Sequence, residues 1–169
     1  MTILNVMDGL VERLEEALKD FPLRLPETDQ VPFKIFRHKV PERLSKKNDY
    51  SQKDADKELY PFVVIKIDRG KKDANVSNQD NIFNLIIGLR NDGKDGEGYD
   101  DVATCIQTIW DDLNEDPIIA KFHRLKYEAE WAFSDDDEKH PYYYGVIQLI
   151  IESPSMQFVG GYESGERRY

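Results

Sequence analysis

An α+β fold is what the sequence predicts: a mainly antiparallel sheet of four to five strands, with two amphipathic helices packed on one of its faces. Three observations carry this. Two segments repeat apolar residues every three to four positions, four or five others alternate or run β-branched and aromatic, and the order helix, strands, helix, strand pair is not that of alternating βαβ units.

The last two strand segments are the anchor. From Phe122 to Phe133, Leu125, Tyr127, Ala129, Trp131 and Phe133 fall on one side, and Arg124, Lys126, Glu128 and Glu130 on the other. The run from Tyr142 to Ile151 puts Tyr143, Ile147, Leu149 and Ile151 in one phase. A hairpin is expected, its register held because a one-residue slip would turn the apolar phase into water. This reading places Trp131 in the core, where truncation to alanine costs about 3–5 kcal/mol. The connection from Ser134 to Pro141 is long and acidic, and neutralising Asp135, Asp136 or Asp137 there is expected to change stability by no more than about 0.5 kcal/mol each.

Taken in order, Leu4, Met7, Leu10, Val11, Leu14, Leu18 and Phe21 trace the first helix, with Thr2 as its expected N-cap and Pro22 as its stop. Residues before Pro26 and Pro32 are pushed to extended backbone. Phe33–Arg37 reads as a short edge strand between prolines. Residues 42–58 are polar and charged, a mobile surface loop by composition. Pro61–Ile67 and Ile82–Arg90 are strong strands expected to pair with each other. The glycine-rich loop from Asn91 to Gly98 leads to the second helix. Its apolar stripe is Tyr99, Val102, Ile106, Ile109, Trp110 and Leu113, with Asp100, Asp101, Gln107, Asp111 and Asp112 expected in water. Ile118 to Lys121 reads as a short helical turn. Residues 1–159 form one domain on this reading, and residues 160–169 a flexible tail.

Composition limits the functions open to the chain. A formal charge of −10 argues against gripping nucleic acid, whose affinity comes largely from lysine and arginine neutralising phosphates. The single cysteine, Cys105, excludes an internal disulfide and the cysteine-rich zinc sites. The N-terminus lacks the basic start and continuous apolar run of a signal peptide, and no stretch approaches the roughly 20 apolar residues of a membrane span. A cytoplasmic protein is expected, with no membrane partner.

No catalytic constellation emerges. His38, His123 and His140 are far apart in sequence, and no serine or cysteine sits in a recognisable nucleophile motif. His123, in the apolar phase of its strand, reads as a structural histidine; Cys105, beside a helix stripe, as a half-buried inert thiol. The acidic cluster Asp92, Asp95, Glu97, Asp100 and Asp101 lacks the ligand spacing of a calcium loop, and Gly93, Gly96 and Gly98 lack that of a dinucleotide fingerprint. This cluster and Asp135, Asp136, Asp137 and Glu138 read as solvated loops. No enzyme activity, cofactor or metal is expected.

The succession of motifs adds a resemblance. An N-terminal amphipathic helix leads to Tyr60-Pro61-Phe62-Val63-Val64, then to Ile82–Leu89. Gly98-Tyr99-Asp100-Asp101 opens a helix ending in Trp110-Asp111-Asp112-Leu113, followed by the Trp131 strand and His140-Pro141-Tyr142-Tyr143-Tyr144-Gly145. Over roughly residues 3 to 152 this resembles the tail-terminator, or tail-completion, proteins of long-tailed phages and prophages, also called head-to-tail joining proteins. The resemblance implies a homo-oligomeric ring, a hexamer, that caps the tail tube, stops its growth and docks to the head-completion protein. DNA would pass through the bore without specific binding, and the protein would move from the host cytoplasm to the virion tail. Acidic loops suit such a bore, and Asp92, Asp95, Glu97, Asp135, Asp136, Asp137 and Glu138 are the candidates to line it or the surface nearby. Tyr99, Asp100, His140, Tyr142 and Tyr144 are the candidate interface residues. The alternatives are a neck or connector component or another small tail subunit, a bacterial non-catalytic binding module, or a hydrolase built on the acidic pairs.

Overall fold

The helical period of the N-terminal segment becomes helix α1, Ile3–Ala17, in a computed structural model that describes residues 3–24, 30–41, 58–73, 77–134 and 140–154. The expected N-cap Thr2, the loop at 42–58 apart from its last residue, the residues Asp135, Asp136, Asp137 and Glu138, and the tail at 160–169 lie outside the described residues. α1 buries Val6, Met7, Gly9, Leu10 and Leu14. Leu4, assigned to the apolar stripe by its spacing, is instead 48% exposed. The buried stripe is centred on Gly9, where α1 lies so close to the chain at Ile119 and Ala120 that a Cβ would come within 2.9 Å of Ile119 Cγ2.

Six strands follow: β1 (Lys34–Arg37), β2 (Phe62–Lys72), β3 (Asn78–Arg90), β4 (Ile118–Ile119), β5 (His123–Phe133) and β6 (Tyr142–Pro154), with α2 (Glu97–Glu115) between β3 and β4. They form one sheet in the order β1-β2-β3-β6-β5-β4. β1 is parallel to β2, and every other pairing is antiparallel. The expected β2–β3 pairing and the β5–β6 hairpin both form. β2 runs through the polar stretch to Lys72, further than its apolar content indicates, because Asp80 and Gln79 continue the ladder opposite Lys71 and Lys72. The sixth strand is β4, where a helical turn was expected. Ala120 and Lys121 take φ values of 47° and 71°, so the chain reverses after two residues and Ile118–Ile119 pair with β5.

Both helices contribute to a single core on one face of the sheet. Leu10 and Leu14 of α1 and Val102, Ile106, Ile109 and Leu113 of α2 share it with Val63 and Ile65, Phe83 to Leu89 in alternation, and Tyr143, Ile147, Leu149 and Ile151. α2 seats on β6 at Gly145, where a Cβ would come within 2.5 Å of Val102 Cγ1. Arg13 fixes α1 to the far end of α2. Its guanidinium donates to Asp112 Oδ2 at 2.8 and 3.1 Å and to the main-chain oxygens of Asp112 and Asp116 at 2.7 and 2.9 Å. Those carbonyls belong to a helix C-terminus, where a cation is favoured.

β5 departs from expectation at its second half. Its register against β6 shifts between Leu125 and Ala129, so that four steps along β5 match two along β6, from Ile151 to Leu149. Trp131 stands opposite Ile147 and therefore does point to the helix face. Yet Trp131 is 57% exposed, Tyr127 61% and Phe133 37%. The expected core position of Trp131, and the large truncation cost attached to it, are overturned: β5 lies beyond β6, on which α2 is seated, and the helix layer half-covers Ala129 but leaves Trp131 open.

Candidate functional site

The loops that connect elements at one end of the sheet carry most of the candidate residues. α2 begins after Gly96, whose φ of 76° lets the loop turn into the helix, with Glu97 and Asp100 in the first turn, where the dipole favours negative charge. Asp100 is exposed and pairs with Arg24 Nη1 at 3.1 Å. Asp101, expected in water, is 3% exposed instead. It accepts the Arg24 backbone N–H at 3.1 Å, which ties the segment after α1 to the start of α2. Burial pushes the Asp101 carboxyl above the usual range, against the opposing pull of that N–H, of the Asn91 side chain and of the Arg24 charge.

His140 and Pro141 meet the glycine-rich loop here. His140 Nε2 lies 3.1 Å from the Gly93 carbonyl oxygen, and the Asn91 N–H donates to the Pro141 carbonyl at 2.9 Å. Asn91 Oδ1 accepts the Gly93 N–H at 2.8 Å, closing the turn that presents Asp92. Asp92 and Asp95 are exposed, the former paired with Arg90 at 3.1 Å, and Glu97 is half-buried. Tyr99 is half-buried on the helix side, its ring edge-on to Tyr143 at 4.8 Å. A side chain on the neighbouring Gly98 would collide with the Tyr143 ring. Tyr99, Asp100 and His140 are thus brought to one pole with Asp92, Asp95 and Glu97.

Tyr142 and Tyr144 are placed elsewhere, on the sheet face opposite the helices. They join an aromatic group that sequence reasoning missed: Tyr60 is 5.2 Å from both Tyr142 and Phe62, its hydroxyl shares a hydrogen bond with that of Tyr144, and Phe36 stands 6.4 Å from Phe62. The register Phe62–Gly88–Tyr144 across β2, β3 and β6 assembles it. Its sequence signal is that Tyr60 and Phe62 share one phase, which alternation shows, but strand order decides which tyrosines they meet.

A second surface lies on the outer half of β5. Trp110, Tyr127, Trp131, Ala129, Glu128 and Glu130 line much of a hollow of about 460 Å³. Trp110 and Trp131, distant in sequence, line the same hollow because α2 packs near β5.

His123, Ser153 and Cys105 are buried, whereas His38 and His140 are exposed. His123 is 1% exposed and Ser153 3%; His123 Nδ1 lies 2.7 Å from Ser153 Oγ, which accepts from Asn81 Nδ2, also at 2.7 Å. Burial lowers the His123 pKa, and its Nε2 is buried with no hydrogen-bond partner. Cys105 is fully buried, not half-buried as its flanking position indicated, and burial pushes its thiol far up. Among the described residues, no group of three or more His, Cys, Asp or Glu side chains is arranged to hold a metal ion, and no helix is long and apolar enough to cross a membrane. Comparison with protein-family models finds no match, and comparison with curated proteins finds none.

Proposed function

We propose that this chain is a structural protein of a long-tailed phage or prophage that caps the tail tube as a ring, a hexamer, and joins it to the head connector. The tail-tube and head-completion proteins are its partners, and DNA passes through the bore without specific binding. The chain acts without catalysis or cofactor, first in the host cytoplasm and then in the virion tail. The observation that carries this reading is the acidic pole, where Asp92, Asp95, Glu97 and Asp100 gather beside His140. On a chain of net charge −10, such a pole disfavours binding of a passing phosphate backbone even with Asp92 and Asp100 paired to Arg90 and Arg24. The motif order resembling tail terminators supports the same reading.

Deleting the gene from its phage or prophage tests it. The expected result is tail tubes of uncontrolled length without attached heads, restored by the wild-type gene supplied in trans. Normal tails joined to heads, or a genomic neighbourhood of metabolic genes without tail-tube and tape-measure genes, would overturn it.

A further inference from the structure

We infer that copies of this chain join head to tail by extending the sheet: the open edge of β5 in one copy pairs antiparallel with the open edge of β1 in the next. The inference rests on the ring reading above and supplies its interface. Beyond the short pairing with β4, no strand covers β5 from Lys126 to Phe133 among the described residues, and none covers the outer edge of β1. Such edges are templates for another chain unless blocked.

Strand geometry makes the two edges compatible. The Ser134 N–H bonds to Tyr144, so the even-numbered residues of β5 near it direct their backbone groups to β6, while Ala129, Trp131 and Phe133 direct theirs outward. In β1, Lys34 and His38 donate to Pro61 and Ile65 of the β2 side, leaving the N–H groups of Ile35 and Arg37 outward. On both edges the outward-facing positions carry side chains on the helix face: Trp131 opposite Ile147, and Ile35 opposite Val63. Opposed residues of an antiparallel pair share a face, so the joined sheet keeps its helix side continuous. Rotation about an axis along the strands preserves strand direction, and β1 runs opposite to β5; repeated copies therefore meet antiparallel.

Chemistry selects a second copy over an unrelated strand. The β5 edge offers Glu128 and Glu130 with the exposed rings of Tyr127 and Trp131. The β1 edge carries Arg37 and Lys39 in the open and Lys34 half-buried, donating to the Tyr60 carbonyl. Arg37 pairs with Asp8 of α1 at 2.7 Å, one helical turn from the exposed Leu4, so an apolar side chain sits beside the basic edge as the rings sit beside the acidic one. Two unlike, complementary edges make a heterologous contact, the kind that closes into a ring.

The test blocks one edge at a time. Proline at an outward-facing position removes a free N–H without touching the internal ladder. Trp131→Pro blocks the β5 edge, and Arg37→Pro blocks the β1 edge. Wild-type protein is expected to oligomerise in analytical ultracentrifugation, each variant to be monomeric, and an equal mixture of the two to give a one-to-one dimer and nothing larger. Circular dichroism confirms folding, and Trp131→Lys replaces Trp131→Pro if the latter unfolds. A wild-type chain monomeric at millimolar concentration overturns the inference. So does an Arg37→Pro protein that still dimerises, which would mean β5 pairs with β5. Variants that associate normally beside an intact deletion phenotype sink the interface alone; edge-dependent association without a tail phenotype sinks the function alone.

Discussion

The two halves of β5 follow the same alternation and meet different fates. At its start, His123 and Leu125 are sealed in the core; Tyr127 within the register shift and Trp131 past it are more than half exposed. Both halves present their apolar phase to the helix side. What differs is whether anything lies over it. Phase is a local property of the strand, whereas burial needs a second layer, and that layer half-covers Ala129 and leaves Trp131 open.

Leu125→Ala should show the largest effect, a loss of about 2–5 kcal/mol in denaturant unfolding, because a fully buried side chain leaves a cavity. A loss below about 1 kcal/mol would place Leu125 with the open half. Arg13→Ala, which frees the carbonyls at the end of α2, should cost about 1–3 kcal/mol, and an unchanged melting curve would show that α1 and α2 are held by the apolar core alone.

The buried half should also respond to acid. The folded pKa of His123 lies below its ordinary value of 6.5, so between the two the unfolded chain binds the extra proton. Stability is therefore complete above about pH 6.5 and declines as pH falls through and below it. Asp101, whose pKa is raised, acts in the opposite sense and nearer the carboxylate range. His123→Gln should flatten the profile near neutrality; an unaltered profile would assign the decline to other groups. The smallest effect belongs to the open half. Trp131→Ala in dilute monomer should change stability by no more than about 0.5 kcal/mol, and a loss of several would restore Trp131 to a covered core.

Particular residues show how far the chain could be read without coordinates. Trp131 was assigned its face correctly and its environment wrongly, and Leu4 failed likewise, because spacing does not report where a neighbouring element stops. Asp101 was sent to water with Asp100, although Arg24, far away in sequence, brings the backbone N–H that makes its burial tolerable. Of the candidate site, the acidic pole was legible in part: both loops were visible as composition, but the His140–Gly93 and Asn91–Pro141 contacts that join them were not. The aromatic group of Tyr60, Phe62, Tyr142 and Tyr144 depends on strand order, which no local pattern encodes.

Local periodicity settled the α+β class, the identity of both helices and the long strands, and the face of most strand residues, since side-chain direction follows from backbone geometry within a few residues. Strand order, the extra pairing at Ile118–Ile119, the sealing of Asp101 and the exposure of Trp131 were decided by tertiary structure. They depend on which distant segments meet and how far each layer extends, a question of close packing between parts of the chain that carry no record of one another.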